Sequence, residues 1–405
     1  MKIVILTHYF PPEIGAPQAR LSEMAAEWVK LGHSVTVLTC FPNHPTGIIP
    51  KQYRKKRFLI ENIDGIKIIR TWVYATPNKG FFKKILGHLS FMMSSVIQGG
   101  KHIRNTDIII ASSPTFFSVI SAWYLSKRYR IPYVFEVRDL WPEIFKDLGI
   151  LKNKTILSIL ETIELFLYKQ ARNVVTVTES FTKSIINRGI DAKKVFTITN
   201  GVNLNQFYPK EKNNALIQDL KLDKKFIVLY IGAHGISQGL SSIVEAAHIL
   251  RKETKIHFLF VGEGADKEKV IEKSNHLNLS NITFLPGQPK EKVKEFYSIM
   301  DIGLVPLRNI PLFKTFIPSK MFEMLAMKKP IVASVAGEAA SILKKSKAAL
   351  VCEPENASEI ATHILDLSNN NTTYKALSEN GVTFVKTYYN RKTLATTYLN
   401  KLGLS

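Results

Sequence analysis

The chain has 405 residues, of which 45% are hydrophobic, and 55 Lys and Arg against 33 Asp and Glu give it a formal net charge of +22. That length implies two or three domains with well-buried cores. Its two cysteines, Cys40 and Cys352, stand far apart and fit no metal spacing, which points to a reducing compartment.

The N-terminal run Met1-Lys2-Ile3-Val4-Ile5-Leu6 is too short for a signal peptide and reads as a buried strand over 2–7. A proline-rich loop follows, Pro11-Pro12-Glu13-Ile14-Gly15-Ala16-Pro17, whose glycine lets backbone approach a ligand. It is not G-x-G-x-x-G, which argues against a standard dinucleotide site; read alone it is a structural loop. A helix over 20–31 ends at Gly32, and a strand over 34–39 follows. Residues 51–104 hold twelve Lys and Arg, among them Arg54, Lys55, Lys56, Arg57, Lys83 and Lys84, against two acids, Glu61 and Asp64. Such a patch attracts polyanions, nucleic acid or an anionic membrane surface alike, or is simply a solvated basic face. Within it, residues 81–97 carry apolar side chains at helical spacing (Phe82, Ile85, Leu86, Leu89, Met92, Met93, Val96, Ile97), which suits either a core-facing helix or one that dips into a membrane. The uncharged run 108–125 could pass for a membrane span, but Ser112-Ser113-Pro114 interrupts it and makes it strand, turn and helix. Further strands are expected at 66–70, 107–112, 133–137, 173–177 and 194–198. The segment Glu136-Val137-Arg138-Asp139-Leu140-Trp141-Pro142-Glu143 ends one of them; its acids, arginine and tryptophan suit a sugar, or else form an Arg138–carboxylate pair bridging loops.

The count then restarts. Strands are expected at 226–231, 257–261, 282–284, 301–305, 331–333 and 349–351, with a helix near 240–251, after a polar linker at 209–225 and before a final helix at 388–402. The alternation of strand and helix in each half implies parallel sheets covered on both faces, with ligands at the carboxyl ends of the strands. Gly262-Glu263-Gly264 follows one strand; Asn200-Gly201-Val202 by itself reads as a turn. Between the apolar, strand-like run Ile302 to Leu307 and a helical run lies Phe316-Ile317-Pro318-Ser319-Lys320-Met321-Phe322-Glu323. A serine and a lysine at a helix start suit phosphate, and a glutamate one turn on can accept two ribose hydroxyls. One short segment can thus hold both halves of a nucleotide. No Asp-x-Asp, Walker A sequence or metal-spaced histidine cluster occurs.

Taken together these motifs resemble the retaining GT-B glycosyltransferases of family 4, over nearly the whole chain. The resemblance rests on Pro12 to Gly15, Leu31 to Leu38, Asn200-Gly201-Val202 with Phe207, Gly262-Glu263-Gly264, and Pro318 to Glu323 followed by Pro330. Asp139-Leu140-Trp141-Pro142-Glu143, Gly235-Ile236-Ser237-Gln238-Gly239-Leu240 and Pro318-Ser319-Lys320 are similar to transferases of bacterial O-antigen and capsule loci, especially N-acetyl-L-fucosamine transferases.

The resemblance implies two facing Rossmann-like domains with a central cleft: 1–208 on the acceptor side, 209–387 binding the nucleotide sugar, and 388–405 returning to the first. It places Ser319 and Lys320 at the donor diphosphate, with Gly15 opposite. Glu323 falls at the ribose, the Gly287-Gln288-Pro289 loop at the base, and His234, Gln238 and Gly262 with the donor. Asp139 falls near the sugar. The family commonly has an acid where this chain has Thr315, and an arginine and a lysine around His234 and Gln238. Lys320 is then expected to carry the charge on the diphosphate, with Arg308 or Lys314 helping. The expected reaction moves a sugar from a UDP-sugar, with retention and without a metal, to a saccharide on a polyprenyl diphosphate. Lys320 and Asp139 are its catalytic residues, and Arg54, Lys55, Lys56, Arg57, Lys83 and Lys84 face an anionic membrane. The enzyme would be cytoplasmic, at the inner face of the plasma membrane, and bind no nucleic acid. The rival readings are a basic nucleic-acid-binding protein, for which Phe58, Trp72 and Tyr74 among the basic residues speak, and a hydride-transfer enzyme, weakened by the missing fingerprint.

Overall fold

A computed structural model describes residues 1–13, 15–44, 46–77, 81–113, 116–147 and 151–404, without the side chains of 16, 17, 81, 82 and 147. Pro114 in the expected turn, Ile14 in the first loop, Lys79 in the basic segment and the Phe82 side chain lie outside the described residues.

The chain divides into two compact units, Met1–Asn200 with Arg391–Ser405, and Gly201–Asn390. The first holds strands β1 (Lys2–Leu6), β2 (Ser34–Cys40), β3 (Phe58–Ile63), β4 (Ile66–Thr71), β5 (Ile108–Ser112), β6 (Tyr133–Val137), β7 (Asn173–Thr176) and β8 (Val195–Thr197). They lie in the order β3-β4-β2-β1-β5-β6-β7-β8. All neighbours pair in parallel except β3 with β4, an antiparallel hairpin at the edge. The strand at 58–63 was not expected. Its turn is Asp64-Gly65, with φ of 52° and 79°, as a tight two-residue hairpin requires.

The second unit holds β9 (Phe226–Ile231), β10 (Ile256–Val261), β11 (Ile282–Leu285), β12 (Ile302–Pro306), β13 (Ile331–Ser334) and β14 (Ala349–Cys352). Its order is β11-β10-β9-β12-β13-β14, parallel throughout. Both sheets are doubly wound, and the winding reverses between β1 and β5 in one and between β9 and β12 in the other. Loops after those strands open the crevices in which this class of sheet binds ligands.

Continuous apolar strands explain the cores, because a parallel sheet is covered on both faces. Ile3, Ile5, Val35, Val37, Ile108 and Ile110 are all buried, as are Val228, Tyr230, Phe258, Phe260, Ile302 and Leu304.

Two expectations are corrected. The segment 209–225 is no linker: it lies within the second unit, carries the helix Asn214–Asp219, and is fastened by Lys210–Glu295 at 2.8 Å and Lys212–Asp301 at 2.6 Å. The last helix is not 388–402. Helix Asn371–Tyr388 stays with the second unit, and a separate helix, Arg391–Lys401, belongs to the first. There Trp28 Nε1 donates to the Ala395 carbonyl at 3.0 Å, and the Trp28 and Tyr398 rings meet edge to face at 5.5 Å.

Candidate functional site

In the second unit the site is built from the loops that leave β9, β10 and β12. Three glycines let two of those loops nest. Gly232 and Gly262 have φ of 142° and 155°, and a Cβ on Gly262 would stand 1.8 Å from the Gly232 carbonyl oxygen. A Cβ on Gly264 would lie 2.3 Å from the His234 carbonyl oxygen. The nesting is sewn by backbone bonds: Gly232 N–H to Val261 O and His234 N–H to Glu263 O, both 2.9 Å. Gly262 therefore shapes the backbone beneath the site.

Lys320 opens the helix Lys320–Ala326 and reaches into this nest. A Cβ on Gly232 would meet its Nζ at 2.6 Å, so only glycine leaves the ammonium its place. Nζ lies 4.1 Å from the centre of the Tyr230 ring, an attractive cation–π distance. Desolvation lowers the Lys320 pKa to about 8, and the nearby Glu323 carboxylate opposes that shift. The result is a desolvated cation that an anionic ligand would stabilise. Ser319 is the cap residue of the helix, yet its side chain makes no capping bond. The helix is seven residues long, so Lys320 outweighs its small dipole.

Glu323 stands one turn on from Lys320, and its Oε2 accepts a 2.8 Å hydrogen bond from the Tyr297 hydroxyl. That bond orients the carboxylate before any ligand arrives. His234 is fully buried. Burial first, then the charges of Lys267 and Lys320, lower its pKa to about 4, so it is neutral at pH 7. It adds no positive charge where the family commonly has one. Gln238 closes the short turn Ile236–Gln238, its Oε1 accepting from Ser237 Oγ at 3.0 Å. Gln288 lies on the loop after β11, joined to the Gly262 loop because Gly287 N–H donates to Glu263 Oε1 at 3.2 Å. Arg308 is 3.6 Å from Glu355 and Lys314 is exposed, whereas Lys320 is packed over the Tyr230 ring.

Lys320, Glu323, His234, Gly262 and the loops bearing Gln238 and Gln288 thus belong to one carboxyl edge. Tyr230 and Tyr297 join them and were not foreseen. Tyr230 sits in an apolar strand and Tyr297 on the buried face of a charged helix, where nothing separates a core tyrosine from one that supports a lysine or a glutamate.

The first unit has its own carboxyl edge. Gly15 caps the helix Ala16–Lys30 in extended backbone, and a Cβ there would come 2.5 Å from Gln18 Oε1. Glu13 fixes the preceding loop by accepting from Phe10, Asn43 and His44 N–H groups at 3.2, 2.8 and 2.8 Å. Asp139 follows β6; burial raises its pKa, against the pull of Arg138. Glu136 pairs with Arg20 at 3.2 Å, both side chains buried. Arg20 also donates to the Thr199 and Ile198 carbonyls at 2.7 and 2.8 Å, a role the sequence did not disclose. Arg54, Lys55, Lys56, Arg57, Lys83 and Lys84 are all exposed.

The apolar stripe at 81–97 is not a simple core face. Phe91, Ser94 and Ser95 are buried, whereas Leu86, Met93 and Ile97 are 52%, 59% and 71% exposed. Small residues explain the inversion: a Cβ on Gly99 would stand 2.4 Å from Leu38, so the helix lies close against the sheet through its small side chains.

Residues 15–201 match the model of a glycosyl transferase 4-like domain, and residues 212–383 that of glycosyl transferases group 1. An Escherichia coli protein named as a colanic acid biosynthesis glycosyl transferase is 27% identical over 92% of this chain and 94% of its own. An N,N'-diacetylbacillosaminyl-diphospho-undecaprenol alpha-1,3-N-acetylgalactosaminyltransferase of Campylobacter jejuni is 25% identical over 71% of this chain and 70% of its own. Among solved structures, Anabaena HepE in complex with UDP and glucose superposes with a TM-score of 0.75, at 15% identity, over 100% of this chain and 99% of that one. The sucrose-phosphate synthase of Thermosynechococcus elongatus gives 0.74 at 18% identity over 100% of both chains. This chain is a glycosyltransferase of the GT-B fold, with a glycosyl transferase 4-like domain in its first half and a group 1 glycosyl transferase domain in its second.

Proposed function

We propose that the enzyme transfers a sugar from a UDP-sugar to a saccharide carried on a polyprenyl diphosphate, in the synthesis of a bacterial surface polysaccharide, with retention and without a metal. The observation that carries this reading is the Lys320 ammonium, enclosed against Gly232 and Tyr230 one turn before Glu323. Charge builds on the diphosphate as its bond to the sugar breaks. A cation already desolvated and fixed stabilises that charge more than the ground state, which lowers the barrier. Glu323, held by Tyr297, accepts the ribose hydroxyls. Retention without an enzymic nucleophile fits attack on the face the diphosphate leaves, a phosphate oxygen taking the acceptor proton. Asp139, two residues beyond β6, orients the sugar or the acceptor.

The Campylobacter relative's name, with its diphospho-undecaprenol acceptor, supports the acceptor class, and HepE bound to UDP supports the donor. N-acetyl-L-fucosamine is the donor sugar that the resemblance of the 139–143 and 235–240 segments favours. Among the described residues no helix is long and apolar enough to cross a membrane; the exposed basic residues at 54–57 and 83–84 suit peripheral attachment to the anionic inner face of the plasma membrane.

The test is a thermal-shift screen of nucleotides with and without a chelator. UDP is expected to raise the melting temperature equally in both. Stabilisation by NAD alone would refute the reading, and stabilisation by UDP only with a divalent ion would refute its metal independence.

A further inference from the structure

The helix Phe81–Ser94, the π-helical turn Ser95–Gly99 after it, and the segment after β4 enclose a groove of about 610 Å³. Its walls are Trp72 and Tyr74 on one side and Leu86, Leu89, Met93 and Ile97 on the other. The polar groups at its base are already engaged. Gln98 accepts from Trp72 N–H at 3.1 Å, Ser90 Oγ from Tyr74 N–H at 2.8 Å, and Ser94 Oγ donates to the Trp72 carbonyl at 2.5 Å. What is left to a ligand is apolar surface that includes the half-exposed Trp72 and Tyr74 side chains, on backbone fixed by these bonds.

The groove also has a direction. Tyr74 bonds to Ser90 and Trp72 to Gln98, so the helix runs antiparallel to the chain leaving β4. Its first turn, with exposed Lys83 and Lys84, therefore lies toward the carboxyl edge of the sheet, and Ile97 lies away from it. From Leu86 to Ile97 the helix rises roughly 16 Å at 1.5 Å per residue. A bare membrane surface would call for a convex apolar stripe; a concave channel with cations at one end fits a single amphiphile, anionic at its head and apolar in its tail.

We infer that this groove binds the isoprenoid chain of the acceptor, with Lys83 and Lys84 on its diphosphate, so that the saccharide is delivered at the carboxyl edge. The inference rests on the polyprenyl-diphosphate reading above and adds the site that reads the lipid. A longer or shorter saccharide would not alter this contact; the chain chemistry would.

The experiment is calorimetry of the full-length enzyme with farnesyl diphosphate below its aggregation limit, beside farnesol and inorganic diphosphate. Met93 and Ile97 are 59% and 71% exposed, so Met93→Asp and Ile97→Asp are expected to leave melting temperature and UDP stabilisation unchanged. Each is expected to weaken farnesyl diphosphate at least tenfold. Lys83→Ala with Lys84→Ala should weaken farnesyl diphosphate but not farnesol. Equal affinity in the aspartate variants, or inorganic diphosphate binding as tightly as the prenyl form, overturns the assignment. So does loss of sedimentation with anionic vesicles while farnesyl diphosphate binding is kept, which would make the face a membrane-insertion surface. If the groove binds prenyl diphosphate but no polyprenyl-linked saccharide accepts sugar, the acceptor reading fails and the groove stands; if such a saccharide is used and the variants bind normally, the reverse holds.

Discussion

Lys320 has its place only because residue 232 is glycine, and its charge is balanced between burial, which opposes it, and Glu323 and the Tyr230 ring, which favour it. Lys320→Ala is expected to lower turnover by ~10²–10³, the scale of losing one fixed donor to a developing oxyanion; near-normal turnover would remove its central role. Glu323→Ala is expected to act on the donor instead, weakening UDP by about tenfold or more in a calorimetric titration, while Tyr297→Phe, which frees the carboxylate to turn, should weaken it by less. Unchanged affinity in Glu323→Ala would refute the ribose role. The lysine and glutamate were legible in the sequence from chemistry and spacing. The tyrosines behind them were not, since a strand such as Phe226–Ile231 shows only apolar residues and its partners come from elsewhere in the chain.

The elements themselves were read well where strands are continuously apolar and less well where structure depends on pairing or on small residues. β3 went unforeseen although Asp64-Gly65 between alternating apolar residues is a strong hairpin signal; as an edge strand it is largely exposed and not continuously apolar. Helical spacing at 81–97 disclosed an amphipathic helix but not its covered face, because glycine and serine decide how closely it meets the sheet. Nesting of the β9 and β10 loops gives a direct test. Gly262→Ala places a Cβ against the Gly232 carbonyl at a φ of 155°, so it is expected to destabilise the unit by more than about 1 kcal/mol in urea unfolding. Arg20 fastens the first helix to the ends of β6 and β8, and Arg20→Met is expected to cost about 3–5 kcal/mol by leaving the buried Glu136 without its partner. Glu136 has a folded pKa below its unfolded value. Its contribution is therefore present above pH about 4.5 and lost as the pH falls below that.

At the scale of the whole molecule, the charge of +22 should make attachment to anionic vesicles strong in low salt. It should weaken steeply at 0.5 M salt, where the screening length is only a few ångströms; sedimentation that ignores salt would point to apolar insertion instead. Two doubly wound units followed from the repeated strand–helix pattern and the family from the resemblance of a few motifs, while the proposed donor and acceptor chemistry rests on a few side chains at their carboxyl edges. The most direct test of that chemistry is calorimetric titration of UDP into the wild type and Lys320→Met, in buffers of different ionisation enthalpy, at pH 7 and pH 8. With a free pKa of about 8, Lys320 is about half deprotonated at pH 8 and about one-tenth at pH 7, and bound diphosphate must draw the proton back. Wild type is expected to take up up to about half a proton per UDP at pH 8 and much less at pH 7, and Lys320→Met to bind more weakly without that uptake. Equal affinity and equal proton uptake in the two proteins would contradict the placing of the diphosphate on Lys320.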